Sequence, residues 1–357
     1  MNVTELKCKN FRNIKDVTLC PSEEVNIIFG ENAQGKTNLV EAIWLFSGMK
    51  SFRGAKDQEL ISHGQEFAKL ELKYKNSVRE NTAQITVTNK RQAVLNGVKL
   101  PGAPALIGKF SAVVFAPSFL SIIENGPAER RRFLDTAICQ LKPAMAGTVA
   151  EYARILKQRN SLLKDVTFDS SLLDLLDILD EKLCRAGEAL RAARNEYLAV
   201  LAPAAEEIYS GLSSGREKVG FRYISKAEGP LAQALREARR EDILNKATTV
   251  GPHRDDVEIT LNGDSVRSFG SQGQKRSCAV ALKLTEAEIL KNATGEQPVI
   301  ILDDVMSELD VTRQDFILNH IKNRQVFITC CEPGAVLRSA EGKTFEIRNG
   351  TIVDINN

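Results

Sequence analysis

The chain has 357 residues, which is long for a single hydrophobic core, so we expect two lobes. Hydrophobic residues make up 43% of it and charged residues 26%, as in ordinary globular proteins, and no apolar run approaches the roughly 18 residues of a membrane span. The net charge of +2 is too small to indicate a nucleic-acid partner, so any DNA contact must come from local clusters of Lys and Arg.

Cysteine usage and the N-terminal sequence both favour a reducing compartment. None of the seven cysteines forms a Cys-x-x-Cys pair, and no histidine completes a zinc spacing. The first residues contain no apolar stretch of the kind found in signal peptides. We therefore expect a cytoplasmic protein with reduced thiols and no membrane partner.

The first 120 residues alternate between strand and loop patterns. Residues 3–9 alternate as a strand, and a short apolar run over Val25–Phe29 predicts a buried strand. Alternation over residues 67–74 and 84–88, with a turn at Asn96-Gly97, predicts a small antiparallel sheet. A further buried strand is predicted over residues 112–115.

A phosphate-binding loop follows the strand over Val25–Phe29. The chain there has the pattern G-x-x-x-x-G-K-[ST], and apolar residues at helical spacing begin at Leu39, as the pattern requires. The glycines let backbone N–H groups converge on phosphates, and the helix dipole adds to the anion site. Lys36 is expected to reach the β- and γ-phosphates, and Thr37 to ligate Mg²⁺. The predicted ATP site comprises Gly30, Glu31, Asn32, Ala33, Gln34, Gly35, Lys36 and Thr37.

Arg12 and Asn13, in the turn before this loop, are further ATP-binding candidates. Arginine pairs well with phosphate oxygens. For Arg12, a plain surface charge is an equally good interpretation.

Residues 128–245 hold long helical patterns and few strand signals. The stretch from Leu172 to Leu201 is amphipathic, and Pro203 is expected to end or kink it. The breaks at Pro143, Pro203 and residues 211–215 favour a compact bundle over a long coiled coil. We predict an ATPase lobe formed by residues 1–120 and 247–357, with a helical lobe, 121–246, inserted between them.

The C-terminal part supplies a candidate metal site. A fully apolar strand over residues 299–302 ends in Asp303-Asp304, after which Ser307-Glu308-Leu309-Asp310 precedes an amphipathic helix. Taken alone, the two carboxylates would more often be a helix cap or a turn. Together with the phosphate loop they predict that Asp303 holds Mg²⁺ opposite Thr37 and that Asp304 activates water.

A short motif before the apolar strand admits two interpretations. Ser271, Gln272, Gly273 and Gln274 stand at a predicted helix start, where a Ser can simply be an N-cap. The motif also resembles the signature of ABC-type ATPases. That resemblance implies that Ser271 and the helix N-terminus close over the γ-phosphate of a nucleotide held by a second subunit.

The order of these motifs resembles the RecF family of bacterial recombination-mediator ATPases. The motifs concerned are residues 10–13, the phosphate loop, residues 271–276 and the acidic segment 302–310. Residues 127–135 and 251–256 also resemble blocks of that family. Lys36 and Asp303 are 267 residues apart, too few for the coiled-coil arm of an SMC protein. The resemblance implies an α/β fold: a P-loop ABC-type ATPase head assembled from both chain ends, with an inserted helical lobe.

The same resemblance implies a function. We expect a weak, DNA-stimulated ATPase that uses ATP and Mg²⁺, forms an ATP-dependent homodimer, clamps double-stranded DNA near single-strand gaps and recruits a RecR-type recombination mediator. A transporter ATPase subunit is the main alternative, although Thr329-Cys330-Cys331 lacks the His that transporters carry there. A nucleotide-binding module without hydrolysis is a third, disfavoured by Asp303 and Asp304.

Basic residues in two parts of the chain are candidates for DNA contact. Contact with phosphates that does not depend on base sequence needs only Lys and Arg, and a solvated charged face explains each residue equally well. The candidates are Lys7, Lys9, Arg53, Lys56, Arg130, Arg131 and Arg132.

Overall fold

The structure is a computed structural model that describes residues 1–166, 168–227, 229–334 and 342–356. Contacts divide the chain into two units. The first unit comprises Met1–Leu120, Gly211–Ser213 and Arg276–Asn357. The second comprises Ser121–Ser210 and Ser214–Lys275.

Strands and helices are numbered separately in chain order. The strands are β1 Asn2–Phe11, β2 Ile14–Leu19, β3 Val25–Phe29, β4 Ala68–Lys75, β5 Glu80–Val87, β6 Arg91–Leu95, β7 Val98–Lys99, β8 Ala112–Phe115, β9 Val219–Ile224, β10 Asp256–Leu261, β11 Asp264–Ser265, β12 Val299–Asp303, β13 Val326–Cys330, β14 Lys343–Arg348 and β15 Thr351–Asn356. The helices are α1 Lys36–Leu45, α2 Ser121–Glu124, α3 Pro127–Leu141, α4 Met145–Asp165, α5 Leu173–Ser213, α6 Leu231–Asn245, α7 Val266–Phe269, α8 Gln272–Thr294 and α9 Val311–His320. Among the described residues, no helix combines the length and apolar character needed to cross a lipid bilayer.

A six-stranded sheet forms the centre of the first unit, in the order β15-β14-β3-β13-β12-β8. All neighbours pair in parallel except β14 and β15, which form the C-terminal hairpin. The apolar runs predicted as strands are buried here, as expected for parallel strands covered on both faces. Residue Asp303 pairs in register with Thr329, and Cys330 with Phe29, so these three strands end at one edge of the sheet.

The second sheet of this unit is antiparallel, in the order β2-β1-β4-β5-β6-β7. The alternating pattern predicted antiparallel strands here, and the turn at Asn96-Gly97, where both residues have positive φ, but the observed six-stranded sheet is larger than the small one expected. Helix α1 packs in the same core as both sheets. That core includes Leu6 and Leu70 from the antiparallel sheet, Leu39 and Ile43 from α1, and Phe327 from the parallel sheet.

The second unit contains α2, α3, α4, most of α5, α6, α7 and a small sheet in the order β11-β10-β9. The sequence pattern missed β9 and placed the end of the helical lobe at residue 246. Because β10 pairs with β9 along its whole length, residues up to Lys275 belong to this unit instead.

Of the two outcomes expected at Pro203, an end or a kink of the long helix, the structure excludes the end. Helix α5 continues through Pro203 to Ser213. Leu198, Leu201, Ala205 and Tyr209 are buried on both sides of the proline. Their packing outweighs the cost of about 3 kcal/mol that an interior proline imposes on a helix.

A buried histidine ties together several segments of the second unit. One ring nitrogen of His253 lies 3.0 Å from the carbonyl oxygen of Thr248, and the other lies 2.7 Å from the hydroxyl of Tyr152. Because a carbonyl can only accept, Nε2 carries the proton and Nδ1 accepts from Tyr152. Burial lowers the pKa of His253, although the hydrogen bond to Thr248 offsets part of that effect.

This lowered pKa predicts a pH-dependent stability. The unfolded chain binds a proton at His253 more readily than the folded chain, so the free energy of unfolding should fall as pH drops below about 6.5, by up to about 1.4 kcal/mol per pH unit. Urea denaturation at pH 7.5 and 5.5 measures the slope. His253→Gln should reduce it, whereas His63→Gln, at an exposed position, should not. An unchanged slope in His253→Gln would assign the effect to another group.

Candidate functional site

The phosphate loop lies between β3 and α1, at the carboxyl edge of the parallel sheet. Gly30 and Gly35 have φ of 147° and 117°, in a region that side chains disfavour. A Cβ at Gly30 would come 2.4 Å from the carbonyl oxygen of Ile347, and one at Gly35 would come 2.9 Å from Oδ1 of Asn13. The neighbouring backbone therefore excludes a side chain at Gly30, whereas at Gly35, where the neighbour is the end of a flexible side chain, the positive φ is the main constraint.

Lys36 points its charge back over this loop. Its Nζ donates to the carbonyl oxygens of Gly30 at 2.7 Å and Glu31 at 2.9 Å, and it lies 3.8 Å from Sγ of Cys331. The residue is 7% exposed. Among the described residues, no carboxylate forms an ion pair with Lys36. A nearly buried cation without a carboxylate partner at the N-terminus of a helix is suited to an anion.

Thr37 and Asp303 meet although they are far apart in sequence. Thr37 Oγ1 donates to Asp303 Oδ1 at 2.8 Å, and Thr329 Oγ1 donates to the same oxygen at 2.8 Å. Burial raises the pKa of Asp303, and the hydrogen bonds from Thr329 and Thr37 offset part of that rise. A cation at this position would instead favour the ionised carboxylate.

These oxygens fit Mg²⁺ in particular. Mg²⁺ is usually bound through one or two protein oxygens, with water and substrate phosphates completing its shell. A hydroxyl and a carboxylate at Thr37 and Asp303 satisfy that requirement. Among the described residues, no group of three or more His, Cys, Asp or Glu could hold a metal ion.

Asp304 lies directly beyond the candidate metal ligand. It has a positive φ of 54°, and its backbone N–H donates to Thr329 Oγ1 at 2.9 Å. Ser307 Oγ donates to the Asp304 carbonyl oxygen at 3.1 Å. Thr329 thus holds the side chain of Asp303 and the backbone of Asp304 together. Sequence reasoning missed this role, although a Thr at the end of the neighbouring apolar strand was a usable signal.

Arg12 and Asn13 take different roles beside the loop. Arg12 is bonded to the buried carboxylate of Glu41 on α1, with N–O distances of 3.1 and 3.0 Å. Asn13 Nδ2 donates to the carbonyl oxygen of Ala33 in the loop at 3.1 Å. Asn13 therefore contacts the phosphate loop directly, whereas Arg12 is held against the helix that follows it. Sequence reasoning did not find Glu41.

The C-terminal hairpin also supports the loop. The backbone N–H of Asn349 donates to Gln34 Oε1 at 2.6 Å, and that of Gly350 donates to the Gln34 carbonyl oxygen at 2.9 Å. Cys331 Sγ lies 3.1 Å from Oδ1 of Asn32. Segments that are distant in sequence thus hold the side chains of Gln34 and Asn32 and the carbonyl oxygen of Gln34 in place.

The signature candidate belongs to the second unit. Ser271 Oγ accepts from the Gln274 backbone N–H at 3.2 Å, and Gln274 Oε1 accepts from the Ser271 N–H at 2.7 Å. This reciprocal pair is a capping box at the start of α8. Ser271 and Gln272 are exposed, and Gly273 is partly exposed. The N-cap is thus present, and it leaves Ser271 at the surface as the second interpretation also requires.

The basic candidates for DNA contact separate into buried and exposed residues. Arg130 is 5% exposed and forms two hydrogen bonds to Asp256, at 2.7 and 3.0 Å, so its proposed DNA contact is corrected to an internal ion pair. Arg131 donates to the Asp255 carbonyl oxygen at 2.7 Å, and Arg132 pairs with Glu129. The exposed candidates are Lys7, Lys9, Arg53, Lys56 and Arg132.

The carboxyl edge of the parallel sheet combines a phosphate loop with an Asp that accepts hydrogen bonds from two Thr hydroxyls, and the unit is built from both chain ends. These features define a P-loop ATPase head of the ABC type. The family model for the RecF/RecN/SMC N-terminal domain matches residues 2–351. The chain belongs to the RecF family of DNA replication and repair proteins.

Individual relatives agree with this assignment. The DNA replication and repair protein RecF of Acetivibrio thermocellus is 38% identical over 345 residues, covering 93% of this chain and 94% of that protein. A solved structure of the recombination mediator protein RecF-ATP in the RecFOR pathway has a TM-score of 0.92 and 36% identity, covering 100% of this chain and 98% of the other. An Smc head domain from Pyrococcus furiosus has a TM-score of 0.56 and 16% identity, covering 99% and 96%, and shares the fold alone. The transporter alternative is set aside by this family membership.

Proposed function

We propose that this protein is an ATP-dependent DNA-binding protein of recombinational repair and replication restart. In this proposal ATP joins two copies head to tail, the dimer clamps double-stranded DNA near single-strand gaps, and slow hydrolysis releases it. The observation that carries the proposal is the 2.8 Å hydrogen bond from Thr37 to Asp303 in a chain of the RecF family.

In this proposal the residues at the sheet edge have separate roles. The N–H groups of the loop and the Lys36 ammonium bind the phosphates, and Thr37 and Asp303 hold Mg²⁺. The metal, when bound, neutralises charge on the phosphate oxygens. Asp304 accepts a proton from the attacking water. Ser271 of a second copy contacts the γ-phosphate and so completes the site.

The partners follow from the same proposal. A solved relative is described as a recombination mediator in the RecFOR pathway, which supports a RecR-type mediator as a partner of this chain. The exposed candidates named above, Lys7, Lys9, Arg53, Lys56 and Arg132, would contact DNA phosphates. DNA-stimulated hydrolysis in the cytoplasm, where bacterial chromosomes lie, completes the proposed cycle.

Asp304→Asn should separate ATP binding from hydrolysis. Asn tolerates the left-handed backbone of this position, so the variant should fold. A neutral amide cannot accept the proton of the attacking water, so turnover should fall by about 100-fold or more while ATP still binds. Equilibrium binding of a fluorescent ATP analogue and steady-state phosphate release measure the two steps. Undiminished turnover would move the proton acceptor to another residue.

Ser271→Arg tests the site formed by two copies. If Ser271 only caps α8, the variant should lose on the order of 1 kcal/mol of stability and still associate. If Ser271 meets the partner's nucleotide, the variant should bind ATP as a monomer but neither dimerise nor hydrolyse it. Analytical ultracentrifugation with and without ATP distinguishes the two outcomes. An ATP-induced dimer of the variant would place the signature outside the interface.

A mixture of Ser271→Arg with Lys36→Ala provides the matched control. One composite site then takes Lys36 from the first chain and Ser271 from the second, so it has both surfaces intact. Partial recovery of ATPase activity is expected in the mixture. Each variant alone should be inactive.

DNA binding should depend on both ATP and salt. If Lys and Arg displace counterions, the logarithm of affinity falls linearly with the logarithm of salt concentration, by roughly 0.9 per phosphate contacted. Removing Lys9 and Lys56 should reduce that slope, whereas Lys99→Ala, on the short strand β7, should not. Fluorescence anisotropy with a DNA duplex measures the slopes. Equal affinity with and without ATP would contradict a nucleotide-gated clamp.

A further inference from the structure

Glu217 lies between α5 and β9, and each of its two carboxylate oxygens accepts a hydrogen bond. Oε1 accepts from Gln274 Nε2 at 2.6 Å, and Oε2 accepts from the Tyr209 hydroxyl at 2.6 Å. Tyr209 lies near the C-terminal end of α5 and is 1% exposed. All three residues belong to the second unit. The carboxylate therefore links a fixed side chain of the long helix to the signature segment.

The bond to Glu217 determines how the Gln274 amide is oriented. Nε2 faces the carboxylate, so Oε1 faces the Ser271 backbone N–H, from which it accepts at 2.7 Å. The Gln274 N–H in turn donates to Ser271 Oγ at 3.2 Å. If the amide rotated, its NH₂ group would face the Ser271 N–H and that hydrogen bond would be lost. Ser271 is thus held by a chain of bonds that begins at Tyr209.

We propose that Glu217 is a positioning residue that holds the signature segment in the conformation needed to contact a partner's nucleotide. This inference rests on the proposed two-copy site. In this proposal the effect of Glu217 passes through Gln274 to Ser271. Because Tyr209 anchors the other end, the same bonds connect α5 of the helical unit to the signature.

Three single-residue variants test the link from Tyr209 through Glu217 to Gln274. Glu217→Ala removes the bonds to Gln274 and Tyr209 and should weaken the ATP-induced dimer about tenfold, as expected for losing a charge-assisted hydrogen bond. ATP binding by the monomer should be unchanged, since Glu217 acts on the partner's site. Glu217→Gln can accept from Gln274 and keep a contact with Tyr209, so it should stay near wild type. Tyr209→Phe removes the hydroxyl that donates to Glu217 and should have an intermediate effect.

Sedimentation equilibrium over a protein concentration series gives the dimer constants. Equal constants for wild type and Glu217→Ala would overturn the inference. If Ser271→Arg fails to dimerise in the same experiment, the proposed two-copy site stands and only the role of Glu217 falls. If Ser271→Arg also dimerises normally, the proposed site itself is wrong.

A pair of mixtures separates positioning from general instability. In the first, one chain carries Ser271→Arg with Glu217→Ala and the other carries Lys36→Ala. In the second, one chain carries Ser271→Arg and the other carries Lys36→Ala with Glu217→Ala. Both mixtures contain the same three substitutions, but only the second puts Glu217→Ala behind the one intact signature. ATPase recovery should be several-fold lower in the second mixture, and equal recovery would overturn the proposal.

Discussion

The hydrogen bond between Thr37 and Asp303 is the constraint on which the nucleotide site depends. Thr37 lies in the first turn of α1, and Asp303 ends β12, so the bond exists only if their strands are in the correct register. Parallel pairing of β13 with both β3 and β12 provides that register. Thr329, on the strand between them, donates to the same carboxylate. A slip of one residue would turn these side chains to the opposite face.

The surrounding core keeps this register in place. Strands β12 and β13 are buried along their whole length and are mostly apolar, as expected for parallel strands covered on both faces. Helix α1 shares one hydrophobic core with the two sheets, which fixes the direction in which its N-terminus points. The buried Glu41–Arg12 pair adds a polar contact between α1 and the turn after β1. The phosphate loop therefore begins and ends on rigid elements.

In the second unit, by contrast, charged side chains are buried in ion pairs. Arg159 is fully buried and bonds to Asp180 at 2.5 Å and Asp242 at 2.6 Å. Arg130 is held by Asp256 in the same way. Removing one partner of such a pair leaves an uncompensated charge, which typically costs 3–5 kcal/mol. Several arginines in this unit thus hold the fold together, and the number available for DNA is smaller than the sequence suggests.

The sequence by itself determined the features that depend on neighbouring residues. The phosphate loop, its glycines and the apolar strands were predicted, because they follow from local backbone geometry and from periodicity. Strand β9, the continuation of α5 through Pro203 and the burial of Arg130 were not, since each depends on partners far along the chain. Tertiary structure alone decided that Thr329 holds the carboxylate of Asp303 and the backbone of Asp304, and that Glu217 holds Gln274. A hydrogen bond between distant segments leaves no periodic pattern, because only the folded chain brings its donor and acceptor together.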